Sequence, residues 1–109
     1  MVNTSIISLR HFLRPDGSFA PRSGSALRLA EHFAAIVQEL SADLGGGPML
    51  PKVRCRRRPN RKRCPGEIDS ILNSVTGEIF WECPVCGDNG FIVDWEGTLW
   101  DFSDSSVRH

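Results

Sequence analysis

The sequence predicts an α+β protein, with an N-terminal amphipathic helix followed by a small antiparallel β domain built around cysteine. Three observations point there. Apolar residues recur at helical spacing over 25–44, short β-type runs alternate with turn signals after residue 66, and all four cysteines fall between positions 55 and 86. At 109 residues the chain has material for one compact domain. A doubly wound nucleotide fold or a barrel enzyme does not fit in that length.

Residues 1–24 read as an N-terminal arm. Ile6, Ile7, Leu9, Phe12 and Leu13 are interrupted by Ser8, Arg10 and His11, which suits neither a secretory signal nor a membrane span of roughly 20 apolar residues. The acid-free start containing Arg and Ser has the composition of an organelle transit peptide but is short for one. The plainer expectation is a frayed helix that docks Ile6, Leu9 and Leu13 on the body, in a cytoplasmic protein. Pro15-Asp16-Gly17-Ser18 is a turn signal: Pro presets φ, Asp caps its own turn and Gly accepts positive φ.

Residues 25–44 form the amphipathic helix. Ala30, Phe33, Val37, Leu40 and Leu44 make its stripe, with Leu29 and Ile36 beside them, and Arg28, Glu31, Gln38, Glu39 and Asp43 lie on the polar side. Ser23 or Ser25 can cap its start, and Gly45-Gly46-Gly47-Pro48 ends it. The apolar stripe packs on the protein's own core or serves a protein partner. His32, beside the stripe, reads as a boundary residue rather than a ligand. Residues 45–51 mix flexible Gly with stiff Pro and read as a linker.

Residues 52–102 form the β domain and 103–109 a C-terminal tail. Strand-like runs occur at 67–72, 78–82, 91–95 and 99–102. Ile79 and Trp81 share one face, as do Phe91, Val93 and Trp95, so one side of an antiparallel sheet is buried. Trp81, Trp95 and Trp100, with Phe80, Phe91 and Phe102, suit a core better than a base-stacking platform in so small a domain.

Cys55, Cys64, Cys83 and Cys86 are the candidate metal ligands. In Cys83-Pro84-Val85-Cys86-Gly87 two thiolates two residues apart can turn toward one ion, and the glycine permits the tight backbone whose amides donate to sulfur. Four soft ligands suit one structural zinc ion, and a knuckle between two β runs makes the domain zinc-ribbon-like. Cys55 and Cys64 are eight residues apart, too far for a standard knuckle, but as the ends of one loop both can reach the same metal. Other readings are a site that has lost its ion or is filled partly by other groups, a redox Cys-x-x-Cys, disulfides, or iron. They fit less well: no βαβ pattern surrounds the pair, nothing marks an oxidising compartment, and the first spacing is unlike that of a rubredoxin.

Charge is segregated along the chain. The 13 Lys+Arg equal the 13 Asp+Glu, yet Lys52, Arg54, Arg56, Arg57, Arg58, Arg61, Lys62 and Arg63 crowd into 52–63 with no acid among them. Residues 64–109 carry nine acids against Arg108 alone. Held at both ends by metal ligands, the basic segment would form a cationic tip for nucleic acid or another polyanion, with salt-dependent binding. The same run also fits a nuclear-localisation signal, or pairing with acidic surface on this chain or a protein partner.

Cys55-Arg56-Arg57-Arg58-Pro59, Cys64-Pro65-Gly66, the run from Trp81-Glu82-Cys83-Pro84-Val85-Cys86-Gly87 to Asp88-Asn89-Gly90, and Trp95-Glu96-Gly97-Thr98-Leu99-Trp100-Asp101 together resemble the C-terminal module of a group of small uncharacterised bacterial proteins. The resemblance implies a zinc-ribbon-like fold and a bacterial cytoplasmic setting, and brings no activity with it. An enzyme is not expected. The sequence has no phosphate loop, no serine elbow and no His-Glu zinc motif; His11, His32 and His109 are scattered, and the acid pairs Asp94/Glu96 and Asp101/Asp104 read as solvated charges.

Overall fold

The helical periodicity around Phe33 and Val37 becomes one 21-residue helix, α1 (Gly24–Leu44), in the computed structural model, which describes residues 4–46, 50–58 and 61–101. Ser23 occupies the N-cap position with extended backbone, and its hydroxyl makes no capping bond. Ala30, Phe33, Ala34, Ile36, Val37 and Leu40 are buried, while Leu44, at the last helical position, is 47% exposed. Linker residues 47–49 lie outside the described residues.

The N-terminus corrects the expectation of a frayed helix. It forms strand β1 (Thr4–Ser8) and then a 3-10 turn over Leu9–Phe12. Ile6 and Ile7 favour this because β-branched side chains suit the pleat. Strands β2 (Asp69–Leu72), β3 (Ile79–Glu82) and β4 (Asn89–Val93) follow as two successive antiparallel hairpins. β1 then lies parallel to β4, with Ile7 opposite Ile92, so the sheet has the order β1-β4-β3-β2 and is mixed rather than antiparallel throughout.

Register sorts the side chains into rows. Ile7, Ile92, Ile79 and Leu72 cross all four strands in one row, and Ile79 and Ile92 are fully buried in the core that Phe33, Val37 and Leu40 of α1 share. The next row, Ile6, Phe91, Phe80 and Ile71, lies on the opposite face. Phe80 and Phe91 pack there with ring centroids 5.2 Å apart, flanked by Ile6 and Ile71, both well exposed.

The last two expected strand segments differ. β4 ends at Val93 because Asp94 takes φ +57° and breaks the alternation, so Trp95 is buried while Phe91 and Val93 are only half-buried. Residues 99–100 form a turn, Asp101 has no regular structure, and Phe102 lies outside the described residues. This turn is fastened to the body. Trp95 Nε1 donates to the Gly77 carbonyl at 2.7 Å, the Gly97 amide donates to Asp101 Oδ2 at 2.8 Å, and Trp100 stacks on Phe19 at 4.4 Å.

Candidate metal centre

The spacing of Cys55 and Cys64 is explained by a short antiparallel pairing outside the main sheet. The Ile68 amide donates to the Val53 carbonyl, that of Cys55 to Gly66 and that of Cys64 to Arg57, at 2.7, 3.0 and 2.9 Å. Arg54 and Glu67 bridge between the first two of these bonds. Residues 53–57 and 64–68 are therefore the legs of a narrow hairpin whose tip is basic, and each leg carries one cysteine.

The second pair sits in the β3–β4 connection. Cys83 donates its amide to the Asp88 carbonyl, Gly87 donates to Cys83 at 2.8 Å, and Gly87 adopts φ +82°, which a glycine accepts without strain. The β2–β3 connection is a twin of this loop. Asn73 donates to Glu78, Gly77 donates to Asn73, and Asn73 Oδ1 accepts from the amides of Val75 and Thr76. In the knuckle the sulfur of Cys83 takes the place of that oxygen and accepts from Val85 and Cys86. A turn that satisfies itself in β2–β3 thus presents thiols in β3–β4.

The hairpin and the knuckle bring all four sulfurs within 4.8 Å of one another. Cys55 and Cys86 Sγ are 3.6 Å apart, as are Cys64 and Cys83 Sγ, and all four are free cysteines. Zinc–sulfur bonds of about 2.3 Å in a tetrahedron place sulfurs about 3.8 Å apart, so this arrangement fits a four-coordinate metal ion. Each sulfur also faces the amide two residues on: Arg57 for Cys55, Gly66 for Cys64 at 3.4 Å, Val85 for Cys83 and Asp88 for Cys86. Such bonds stabilise thiolates and orient them.

Burial opposes the same charge. Cys55, Cys64 and Cys83 are at most 1% exposed and belong to the hydrophobic core. Burial and the neighbouring thiols push Cys55 up to about 12, and burial also raises Cys86. Burial opposes ionisation of Cys83 too, but the amides of Cys86 and Val85 outweigh it and lower that thiol. Four thiolates packed this closely need a cation among them. Gly66 completes the packing: a methyl there would overlap the Cys83 sulfur and lie 3.0 Å from Val85 Cγ2. The sequence shows Cys-Pro-Gly, but the need for glycine appears only where the hairpin meets the knuckle.

The basic segment is only partly neutralised by the acidic half. Lys52 pairs with Asp69, and Arg57 pairs with Asp88 through Nε at 3.2 Å and Nη2 at 3.2 Å. Arg54, Arg56, Arg58, Arg61, Lys62 and Arg63 are exposed and make no ion pair among the described residues. Pro59 and Asn60 lie outside the described residues. Two residues the sequence did not single out for this region join it from α1. Arg28 and His32, four positions apart on one helix face, line a cleft of about 390 Å³ with Arg54, Arg56, Arg58 and Arg63.

His32 is half-buried against Phe33 and Trp81, and burial together with the nearby Arg56 charge pushes its imidazole down to about 4. Trp81 and Trp95 are each 3% exposed and belong to the core, so neither offers its ring face to a base. No helix among the described residues is long and apolar enough to cross a membrane. Comparison with protein-family models, curated proteins and solved structures finds no match to this chain.

Proposed function

We propose that this chain is a small zinc-binding module, without catalytic activity, whose metal centre shapes a basic surface for nucleic acid or another polyanion. The observation that carries the metal reading is the convergence of four cysteine sulfurs within 4.8 Å, from two segments of different build. Zinc suits the donor set, since four thiolates with amide donors form a closed tetrahedral site. Cysteine then occupies every position on the ion, which leaves none for a catalytic water and supports a structural role. The hairpin–knuckle pairing also supports a zinc-ribbon-like description of this half of the fold, with β1 and α1 added to it. A reducing compartment such as the cytoplasm suits free thiols.

Charge arithmetic favours an external partner. A zinc ion with four thiolates carries two net negative charges, and Lys52 and Arg57 are already paired. Six basic groups of the segment remain, more than the metal centre can offset. The two observed pairs favour a second reading, in which the segment docks on acidic protein surface in the same manner.

Elemental analysis of protein purified without chelator tests the metal. About one equivalent of zinc is expected, and less than about half an equivalent overturns the reading. An oligonucleotide titration tests the surface. Binding should weaken steeply with salt and disappear when Arg54, Arg58 and Arg61 are all changed to Glu. Unchanged affinity in that variant overturns the nucleic-acid reading.

A further inference from the structure

The basic surface is not a free tip alone, because part of it is folded against α1. Arg28 is on the helix, remote in sequence from the other cations, and faces the same cleft as Arg54, Arg56, Arg58 and Arg63. Among the described residues no carboxylate lines that cleft. A second hollow shares His32 and Arg56 with it and is walled by Leu29, Phe33 and Trp81; Asp88, the one acid lining it among the described residues, is held by Arg57. Like charges gathered without a counter-charge repel one another, and the half-buried wall screens them less than open solvent would.

A separate observation belongs to the adjoining hollow, which shares His32 and Arg56 with the cleft. Trp81 Nε1 is buried with no hydrogen-bond partner among the described residues, whereas Trp95 Nε1 is held by the Gly77 carbonyl. An unsatisfied buried donor is costly and uncommon in folded proteins. Here it belongs to a side chain that meets His32 edge-on and lines the hollow beside the arginines.

We propose that the cleft between α1 and the basic segment is a binding site for a phosphoryl group, in which Arg28 and Arg56 grip the anion from opposite walls with Arg54, Arg58 and Arg63 around it. Guanidinium forks match phosphate oxygens in planar, bidentate fashion, and five of them in one concavity exceed what a single diester needs. The ligand class is therefore a densely charged phosphate, either a diphosphate-type group on a small molecule or successive phosphates of a nucleic-acid strand. This rests on the polyanion reading above and deepens it by assigning a site and giving the helix a part in binding.

The test uses the full-length, zinc-loaded chain, titrated with sodium pyrophosphate and with a short single-stranded oligonucleotide. Arg28→Ala and Arg56→Ala should each weaken binding by about tenfold, the factor that one charge-assisted hydrogen bond carries. Lys62→Ala, which removes an exposed cation outside the cleft, should change affinity less than about twofold. Arg28 is exposed on the helix surface, so its truncation leaves the fold intact, and circular dichroism verifies this. The Trp81 indole N–H signal, assigned by its loss in Trp81→Phe, should shift on pyrophosphate addition, while that of Trp95 stays in place.

Pyrophosphate binding alone identifies a small phosphorylated ligand, and binding of the oligonucleotide at lower concentration identifies a strand; both support the site. Wild-type affinity in Arg28→Ala overturns it, as does an equal loss in Lys62→Ala, which would mean diffuse attraction. If the wild-type chain binds neither probe, the site and the polyanion reading both fail. Zinc content of the same sample shows whether the metal reading stands apart from them.

Discussion

Gly66 is the residue outside the four cysteines on which the geometry of their cluster depends most sharply. It donates to Cys64, accepts from Cys55, and leaves room for the Cys83 sulfur where any side chain would collide. Gly66→Ala should therefore lower zinc affinity by roughly 10–100-fold, the range typical of disturbed outer-shell groups, as measured by competition with a chromogenic chelator. His32 carries the other residue-scale prediction. Its folded-state value is near 4 against an ordinary 6.5, so on acidification the unfolded chain takes up the proton first. The contribution of His32 to stability is fully present above about pH 6.5 and is lost as pH falls from there toward 4. The urea midpoint of the wild type should fall between pH 7 and about 5.5, with zinc content verified at both, and His32→Gln should fall less. The Cys83/Cys86 pair was legible from spacing, while Cys55 and Cys64, eight residues apart, fit no standard knuckle. The need for glycine at 66 and the shift of His32 were not legible, because a steric limit and a burial cost arise only from neighbours distant in sequence.

At the scale of elements, the helix and the two hairpins follow from local pattern, and β1 does not. Helical spacing over 25–44 and the turn residues at 73–77 and 84–87 each carry their own signal. β1 depends on the open edge of β4, reached at the other end of the chain, and a short apolar run interrupted by Ser8 and Arg10 does not show that partner. The two readings of the N-terminus differ in mutant behaviour. A docked helix would make Ile6 costly to remove along with Leu9, whereas the strand exposes Ile6 and packs Ile7 against the core. Ile6→Ala should change stability by no more than about 0.5 kcal/mol. Ile92→Ala, in the same row as Ile7 and fully buried, should cost about 2–5 kcal/mol in urea unfolding. The β2–β3 loop provides an internal comparison for the knuckle. It makes the same backbone bonds around Asn73, so the geometry of the knuckle is a turn preference of this chain that cysteine exploits.

For the whole molecule, the position of the thiols inside the core ties the candidate metal site to folding. Cys55, Cys64 and Cys83 belong to the cluster that contains Phe33 and Val37 of α1 together with Ile79, Trp81 and Ile92 of the sheet. Chelation should therefore reduce helical circular dichroism and near-ultraviolet tryptophan signals together, in one transition, rather than unfold the β half alone. Loss of the tryptophan signal with helical signal unchanged would contradict that shared core. The sequence by itself determined the amphipathic helix, the hairpins, the four thiols and the separation of charge, because each is written in the order of nearby residues. Only the tertiary structure decided that β1 joins in parallel, that the hairpin and knuckle face one another, and that Arg28 meets the basic segment. Those contacts join residues far apart in the chain, and burial and register select them only when helix, sheet and hairpin close on one core.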